Sequence, residues 1–308
     1  AALHLTMKSI GIKSGDEVIL PSFTFVATAN CVLYQGGKPI FVEINPETWN
    51  IDPQDIQEKI NPKTKAIIVV HYAGQPVEMD EINELAKDHK LFVIEDAAHA
   101  AGAEYKNKKA GSLGDIGCFS FFSNKNMTTG EGGMLTTNNK EIERKLRLMR
   151  SHGFSRGHWE RYGKKDSWKY DILELGHNYR MSEINAALGI EQLKKLDEMN
   201  KKRVENAKLL ITLLKDIKSL KTQKIEEYAK HVFYIFPTLL DTHISRDDFI
   251  EKLRSRNIEA GVHYQPIHLF TLYKKLFGYK GGELPITEKI SNQIFTLPMH
   301  QNLNKNTL

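Results

Sequence analysis

"KAIIVVHYAG" (Lys65–Gly74), "VEMDEINELAKDHK" (Val77–Lys90) and "LFVIEDAAHA" (Leu91–Ala100) follow one another almost without a break. The first and third are short apolar runs rich in β-branched residues, which reads as buried strand. The second spaces its apolar residues at three and four, which reads as a helix. A strand, a crossover helix and a second strand make a parallel pair, and a buried parallel pair needs helices on both faces. The same alternation extends outward in both directions. "EVILP" (Glu17–Pro21) and "KPIFVEI" (Lys38–Ile44) read as strands, with helical spacing in "TFVATANCVLYQGG" (Thr24–Gly37) and "DPQDIQEKI" (Asp52–Ile60). "GCFSFFS" (Gly117–Ser123) and "GGMLTT" (Gly132–Thr137) add strands, and "NKEIERKLRLMRSHG" (Asn139–Gly153) a helix. The fold class is α/β with a large, mostly parallel sheet.

Helical periodicity runs from Ser182 to Leu214, longer than a usual globular helix, and predicts a bend or break within a segment that bridges two domains. Beyond it, "HVFYIFPTLL" (His231–Leu240) predicts a strand, "SRDDFIEKLRSRN" (Ser245–Asn257) a helix, and "IEAGVHYQPIHLF" (Ile258–Phe270) a strand plus loop. The expected division is a large domain over residues 1–214 and a smaller C-terminal α+β domain over residues 215–308. The connection from Gly153 to Arg180 is long, aromatic and polar, a type of segment that often carries function.

Composition narrows the partners. With 308 residues, 41% hydrophobic and 26% charged, the chain can bury a sizeable core. Its 43 basic and 38 acidic residues are interspersed without a basic stripe, so a small phosphorylated ligand is expected rather than nucleic acid. Cys31 and Cys118 offer neither a disulfide framework nor a zinc spacing, and no metal is expected. No apolar run reaches bilayer-spanning length and no signal-peptide pattern opens the chain. A cytoplasmic protein without membrane contact is the expectation. No G-x-G-x-x-G turn follows the first strand, which excludes the usual dinucleotide site.

Ligands of open parallel sheets sit at the carboxyl ends of the strands. "FVIEDAAHA" brings Glu95, Asp96 and His99 to such an end. A carboxylate there either meets a cationic ligand nitrogen or caps the segment that follows. In "FSFFSNKNMTTGEGG" (Phe119–Gly133), Lys125 stands between aromatic residues and glycines. A desolvated lysine amine loses its proton readily and can form a Schiff base with an aldehyde. Ser120 can donate to a phosphate, and the glycines either admit a close neighbour or make a tight turn.

Asp96 followed by Lys125 matches enzymes that hold pyridoxal phosphate on a lysine with an acid at the ring nitrogen. Together with "GDEVILPSFTFVATANCVL", "VEINPETWNID", "HYAGQPVEMDEI" and "LGHNYRMSEINAALGIEQLKKLDE", these motifs resemble the DegT/DnrJ/StrS family of sugar aminotransferases over nearly the whole chain. The resemblance implies a fold-type I, aspartate aminotransferase-like architecture and pyridoxal 5'-phosphate as cofactor. By that resemblance Lys125 carries the cofactor and shuttles a proton, while Asp96 keeps the ring nitrogen protonated. His99 lies near the phenolic oxygen, Ala98 packs on one ring face and Phe25 on the other. Ser120 binds the phosphate, and Asn178 reaches the phosphate in the adjacent subunit, which makes a homodimer with shared sites the active unit. Arg180 is expected to meet the donor carboxylate or nucleotide phosphates, and Tyr264 and His268 to lie near the sugar.

The implied reaction moves an amino group from L-glutamate to a nucleotide-linked keto sugar. The aromatic connection around Trp159 and Trp168 favours a 4-keto substrate and spore-coat-type polysaccharide pathways. Family members begin earlier and add a phosphate contact just before "AALHL", of which Ala1 is what this sequence retains; the chain reads as truncated at its N-terminus. Two alternatives stand beside this reading. Sugar dehydratases of the same fold carry histidine where Lys125 stands, and a regulatory relative would not need Asp96, Ser120, Lys125 and Asn178 intact.

Overall fold

The computed structural model describes residues 1–155 and 169–303. Trp159 and Trp168, on which the 4-keto preference leaned, lie outside the described residues. The first part of the chain runs α1 (Ala2–Ser9), β1 (Glu17–Pro21), α2 (Ala27–Leu33), β2 (Lys38–Val42), α3 (Pro53–Lys59), β3 (Thr64–Val70), α4 (Met79–His89) and β4 (Phe92–Asp96). A small hairpin, β5 (Glu104–Tyr105) and β6 (Lys108–Lys109), leads to β7 (Ile116–Ser120), β8 (Gly133–Thr136) and α5 (Lys140–Arg150). Then come α6 (Glu183–Leu214), β9 (Leu220–Thr222), β10 (Ala229–Lys230), β11 (Phe236–Leu240), α7 (Arg246–Arg254), α8 (Thr271–Phe277), α9 (Pro285–Gln293) and β12 (Ile294–Leu297).

The main sheet has the order β2-β1-β3-β4-β7-β8. It is parallel except for β8, which pairs antiparallel with β7. Strand β3 shows why the sheet is covered on both sides. Ala66 and Ile68 join one buried cluster, with Leu5, Met7 and Ile94, while Ile67 and Val69 join another, with Met79, Ile82 and Ala86 of α4. Successive side chains of a strand face opposite ways, so an unbroken apolar run needs two apolar covers. Each such isoleucine contributes roughly 1.5–3 kcal/mol. Helix α4 buries Met79, Ile82 and Ala86 along one face and carries Asp80 and Glu81 in its first turn, with Lys87 and His89 in its last. That charge order suits the helix dipole.

A second, antiparallel sheet of order β12-β11-β9 lies in the C-terminal part, flanked by α7 and α9. Three expectations are corrected here. Helix α6 is one uninterrupted element of 32 residues, capped by Ser182; at 1.5 Å per residue it is roughly 48 Å long. The stretch Ile258–Phe270 forms no strand, making only the bridge of Gly261 to Thr296 and a short 3-10 turn at Ile267–Leu269. In "HVFYIFPTLL" only Phe236–Leu240 is strand. The preceding residues cross to the 3-10 turn that follows β3, Tyr72–Gly74, where Val232 and Tyr234 donate their N–H groups to the carbonyls of Gly74 and Ala73 at 3.2 and 2.8 Å. Gly74 makes this approach possible: its φ is +100°, and a Cβ there would lie 2.9 Å from the His99 carbonyl oxygen.

Candidate active site

A cavity of about 1580 Å³ opens at the carboxyl ends of β1, β3, β4 and β7. Among its lining residues are Phe25, Val70, Asp96, His99, Ser120 and Lys125. Strand β1 has β2 on one side and β3 on the other, so the cavity sits where the strand order reverses, as expected for ligands of such sheets.

Asp96 ends β4 and is 6% exposed. Thr28, on α2, donates its hydroxyl to Oδ2 at 2.8 Å, and the Ala98 N–H donates to Oδ1 at 3.2 Å. Burial raises its pKa above the usual carboxylate value, and these hydrogen bonds and the charge of Lys125 only partly offset that. Asp96 therefore carries an incompletely compensated charge that a cationic ligand atom would relieve. It ends β4 and its Oδ1 caps the turn that follows through the Ala98 N–H, so the capping role is present, and it occupies one oxygen only in part.

Lys125 is half-buried in the turn between β7 and β8, with its N–H on the Phe122 carbonyl at 3.0 Å. Its ammonium lies 4.3 Å from the centroid of the Tyr234 ring. Burial lowers its pKa from 10.5 to about 8, against the opposing pull of Asp96, so the free amine is accessible near neutral pH. The glycines beyond it serve the hairpin itself: a Cβ on Gly133 would lie 2.7 Å from the Phe119 carbonyl oxygen across the β7/β8 ladder.

His99 is buried, stacked at 4.3 Å on Tyr234, and its Nε2 meets the Tyr264 hydroxyl at 3.0 Å. Its Nδ1 is a buried nitrogen with no hydrogen-bond partner among the described residues. Phe25 is 60% exposed, its ring 6.3 Å from that of Tyr264. Ala1, Ala98, Ser120, Arg180 and Tyr264 all line the cavity. Arg180 donates to Ser151 Oγ at 3.1 Å and stands with Arg147 and Arg150 at the rim. Burial first, then these two neighbours, lowers the Arg150 pKa.

Two predicted residues lie elsewhere. Asn178 is exposed and does not line this chain's cavity; it bridges Ser151 through the main chain, and the α6 cap is supplied by Ser182. His268 is a correction. It is fully buried, with Nδ1 on Ser22 Oγ at 2.7 Å and Nε2 on Glu288 at 3.0 Å, and does not reach the cavity. Both nitrogens are consumed in tying the Ile267–Leu269 turn to β1 and α9. Glu283 and Glu288, its acidic neighbours, already accept N–H groups from Lys280, Gly281 and Gly282, which suits a closed turn better than a metal centre.

Sequence reading missed Tyr234 and the Arg147/Arg150 pair. Tyr234 touches both Lys125 and His99, but it lies on the crossing segment that a continuous apolar and aromatic run disguised as a strand. Its phenol is pushed up to about 12 by burial and stays neutral.

These groups fit pyridoxal phosphate. The under-compensated Asp96 suits a protonated ring nitrogen, the unpaired Nδ1 of His99 suits a ring oxygen, and Lys125 is the available amine. Among the described residues no helix is long and apolar enough to cross a membrane.

The spore coat polysaccharide biosynthesis protein SpsC of Bacillus subtilis is 39% identical over 98% of this chain and 79% of its own length. GDP-perosamine synthase of Caulobacter vibrioides is 40% identical, with the same two coverages. Among solved structures, Helicobacter pylori PseC, an aminotransferase of pseudoaminic acid biosynthesis, superimposes with a TM-score of 0.91 at 36% identity, covering 99% of this chain and 81% of that one. Spr1654 of Streptococcus pneumoniae, 26% identical with a TM-score of 0.91 and coverages of 99% and 81%, is known in a pyridoxal phosphate form. The model of the DegT/DnrJ/EryC1/StrS aminotransferase family matches residues 1–308. The chain belongs to that family, and is a pyridoxal phosphate-dependent sugar aminotransferase with the fold of these enzymes.

Proposed function

We propose that this enzyme takes its amino group from L-glutamate and delivers it to a nucleotide-linked keto sugar, preferentially at a 4-keto position. The product would be an amino-deoxy sugar nucleotide for polysaccharide biosynthesis in the cytoplasm. The observation that carries the reading is the pairing of a lysine amine of pKa about 8 with a buried aspartate in one cavity large enough for a cofactor and a sugar. The names GDP-perosamine synthase and UDP-4-amino-4,6-dideoxy-N-acetyl-beta-L-altrosamine transaminase, the latter from Campylobacter jejuni, support a nucleotide carrier, and the second supports the 4-position.

Pyridoxal phosphate, when bound, supplies an electrophilic carbonyl carbon and a ring that accepts electrons. Asp96 would hold the ring nitrogen protonated and His99 would lie near the phenolic oxygen. Ala98 and Phe25 would pack against the ring. Ser120 and the main chain at Ala1 would bind the phosphate. Lys125 would anchor the cofactor, and its Nζ would carry a proton to or from the reacting carbon, a task suited to an amine whose pKa lies near working pH. Arg180 meets donor carboxylate or nucleotide phosphate, and Tyr264 borders the sugar.

Asn178 acts in trans. It is exposed beside α6, whose Ile184, Ile190 and Leu193 are 83%, 60% and 61% exposed. Ile190 and Leu193, three residues apart, share one side of the helix; such exposed apolar area favours a second copy, and a homodimer would bring each Asn178 to its partner's phosphate. The helix α6 would then bridge a large domain, residues 1–214, and a small one, residues 215–308.

The test is the visible absorbance of the protein with pyridoxal phosphate, before and after L-glutamate. A band that glutamate bleaches, absent from Lys125→Ala, supports the first half-reaction, and screening of keto-sugar nucleotides follows. No band at excess cofactor would overturn the reading.

A further inference from the structure

Five buried side-chain polar atoms have no hydrogen-bond partner among the described residues, and only His99 Nδ1 belongs to a residue that lines the cavity. A neutral imidazole has one donor and one acceptor, so the partner of one nitrogen decides the character of the other. Two buried histidines of this chain show how that is done by the backbone. The Val77 N–H donates to His71 Nδ1 at 3.2 Å, which leaves the proton on Nε2 for Glu95. The Phe233 N–H donates to His231 Nδ1 at 3.0 Å, leaving Nε2 to face Gln223 Oε1. Among the described residues no main-chain donor reaches the His99 ring; what reaches it is the hydroxyl of Tyr264, 3.0 Å from Nε2.

We propose that Tyr264 is a positioning residue that fixes His99 as the Nδ1–H tautomer, so that Nδ1 becomes a hydrogen-bond donor for an oxygen of the bound ring. A phenol is a far better donor than a neutral imidazole N–H, and an imidazole nitrogen a far better acceptor than a phenol oxygen, so the Tyr264 proton lies toward Nε2. Two supporting shifts agree. Burial drives the Tyr264 pKa up, keeping its proton, and burial with the nearby charges of Lys125 and His263 drives that of His99 well down, keeping a single ring proton. The main chain at Tyr264 is itself held in place. Ser291 of α9 donates to the Tyr264 carbonyl at 2.9 Å, Tyr72 donates to the adjacent His263 carbonyl, and the His99 ring lies nearly parallel to that of Tyr264 and stacked on Tyr234. Position and tautomer are thus set by different residues: Tyr234 holds the ring, and Tyr264 chooses the nitrogen that carries the proton.

The consequence rests on the cavity being the pyridoxal phosphate site; the tautomer does not. The decisive measurement is the pair of ring ¹⁵N shifts of His99 in the cofactor-free protein, assigned by their loss in His99→Gln. Protonated Nδ1 and bare Nε2 in the parent, reverting to protonated Nε2 in Tyr264→Phe, is the expected result. Protonated Nε2 in the parent, or no change in the variant, overturns the proposal. A second readout uses cofactor affinity. Tyr264→Phe should weaken pyridoxal phosphate binding about tenfold, the worth of one hydrogen bond in a buried site. The same change in a His99→Gln background, where the side-chain amide has no tautomer to set, should have little effect. Equal losses in both backgrounds would mark Tyr264 as merely structural and sink the proposal. If even the parent binds no pyridoxal phosphate, the functional reading falls while the nitrogen shifts still decide the tautomer.

Discussion

Glu95 and Asp96 are consecutive carboxylates at the end of one strand, both buried, yet the structure treats them in opposite ways. Glu95 meets His71 Nε2 at 2.9 Å and accepts the N–H groups of Gly111, Leu113 and Gly114 at 2.6–2.8 Å. Burial pushes its pKa up, but the His71 and backbone hydrogen bonds overcome this and bring it below the ordinary value. Asp96, on the other side of the strand, has one hydroxyl and one N–H, and its pKa stays raised. The difference lies in how completely a buried anion is solvated by its own chain. The saturated one closes the 111–114 loop onto the sheet. The other is left for a ligand, at a cost to the empty protein.

The largest expected effect follows directly. Asp96→Asn should lower turnover of a nucleotide-sugar substrate on the order of a thousandfold, as for loss of a preorganised charge at a reacting group, while leaving the stability of the cofactor-free protein unchanged or higher. Steady-state kinetics and denaturant unfolding on one preparation check both. A large stability loss would mean Asp96 is as architectural as its neighbour.

Glu95→Gln should do the reverse, destabilising the fold by about 3 kcal/mol because a buried hydrogen-bonded charge is lost from among its donors. The pH dependences have opposite signs. Glu95, with a folded pKa below its ordinary 4.5, stabilises above that value and loses the contribution as pH falls through the folded pKa. Asp96, with a folded pKa above 3.8, favours the fold most below 3.8 and loses that as pH rises through the folded pKa. In the cofactor-free protein, the gap between Glu95→Gln and parent should therefore close on acidification. Asp96→Asn should gain on the parent as pH rises. Parallel pH curves for the two variants would break the comparison.

The sequence made Glu95 and Asp96 visible together but could not separate them, because the donors of Glu95 come from residues 16 to 24 positions away. What was legible was local. The runs around Val18, Ile40, Ile67 and Val93 had to be strands because nothing else hides so many apolar side chains in so few residues. Lys125 stood out against its aromatic and glycine neighbours. What was not legible depended on pairing at a distance. Phe233 has φ of +45° and carries its neighbours to the loop of Tyr72–Gly74, so an apolar run "HVFYIF" that looks like one strand delivers Tyr234 to the cavity. His268 shares a motif with Tyr264, yet four residues of chain are enough to put one at the cavity wall and the other in a sealed contact with Ser22 and Glu288. The predicted break in α6 had no glycine or proline kink to realise it; Gly189 is accommodated within the continuous helix.

The smallest effect sharpens the contrast most. Lys125 owes its lowered pKa to burial, and Asp96 is the one charge that pulls it back up toward 10.5. Reductive methylation of the cofactor-free protein, followed by mass spectrometry of the peptide carrying Lys125, should show a midpoint near pH 8, well below that of surface lysines. In Asp96→Asn that midpoint should fall further, by up to about one unit, since an opposite charge no longer favours the ammonium. In Glu95→Gln it should stay where it is, because the oxygens of Glu95 are turned to His71 and the 111–114 loop rather than to the cavity. A shift of the same size in both variants would mean that the amine senses total charge at the strand end and not one carboxylate. The division of labour between the two neighbours would then lie in stability alone.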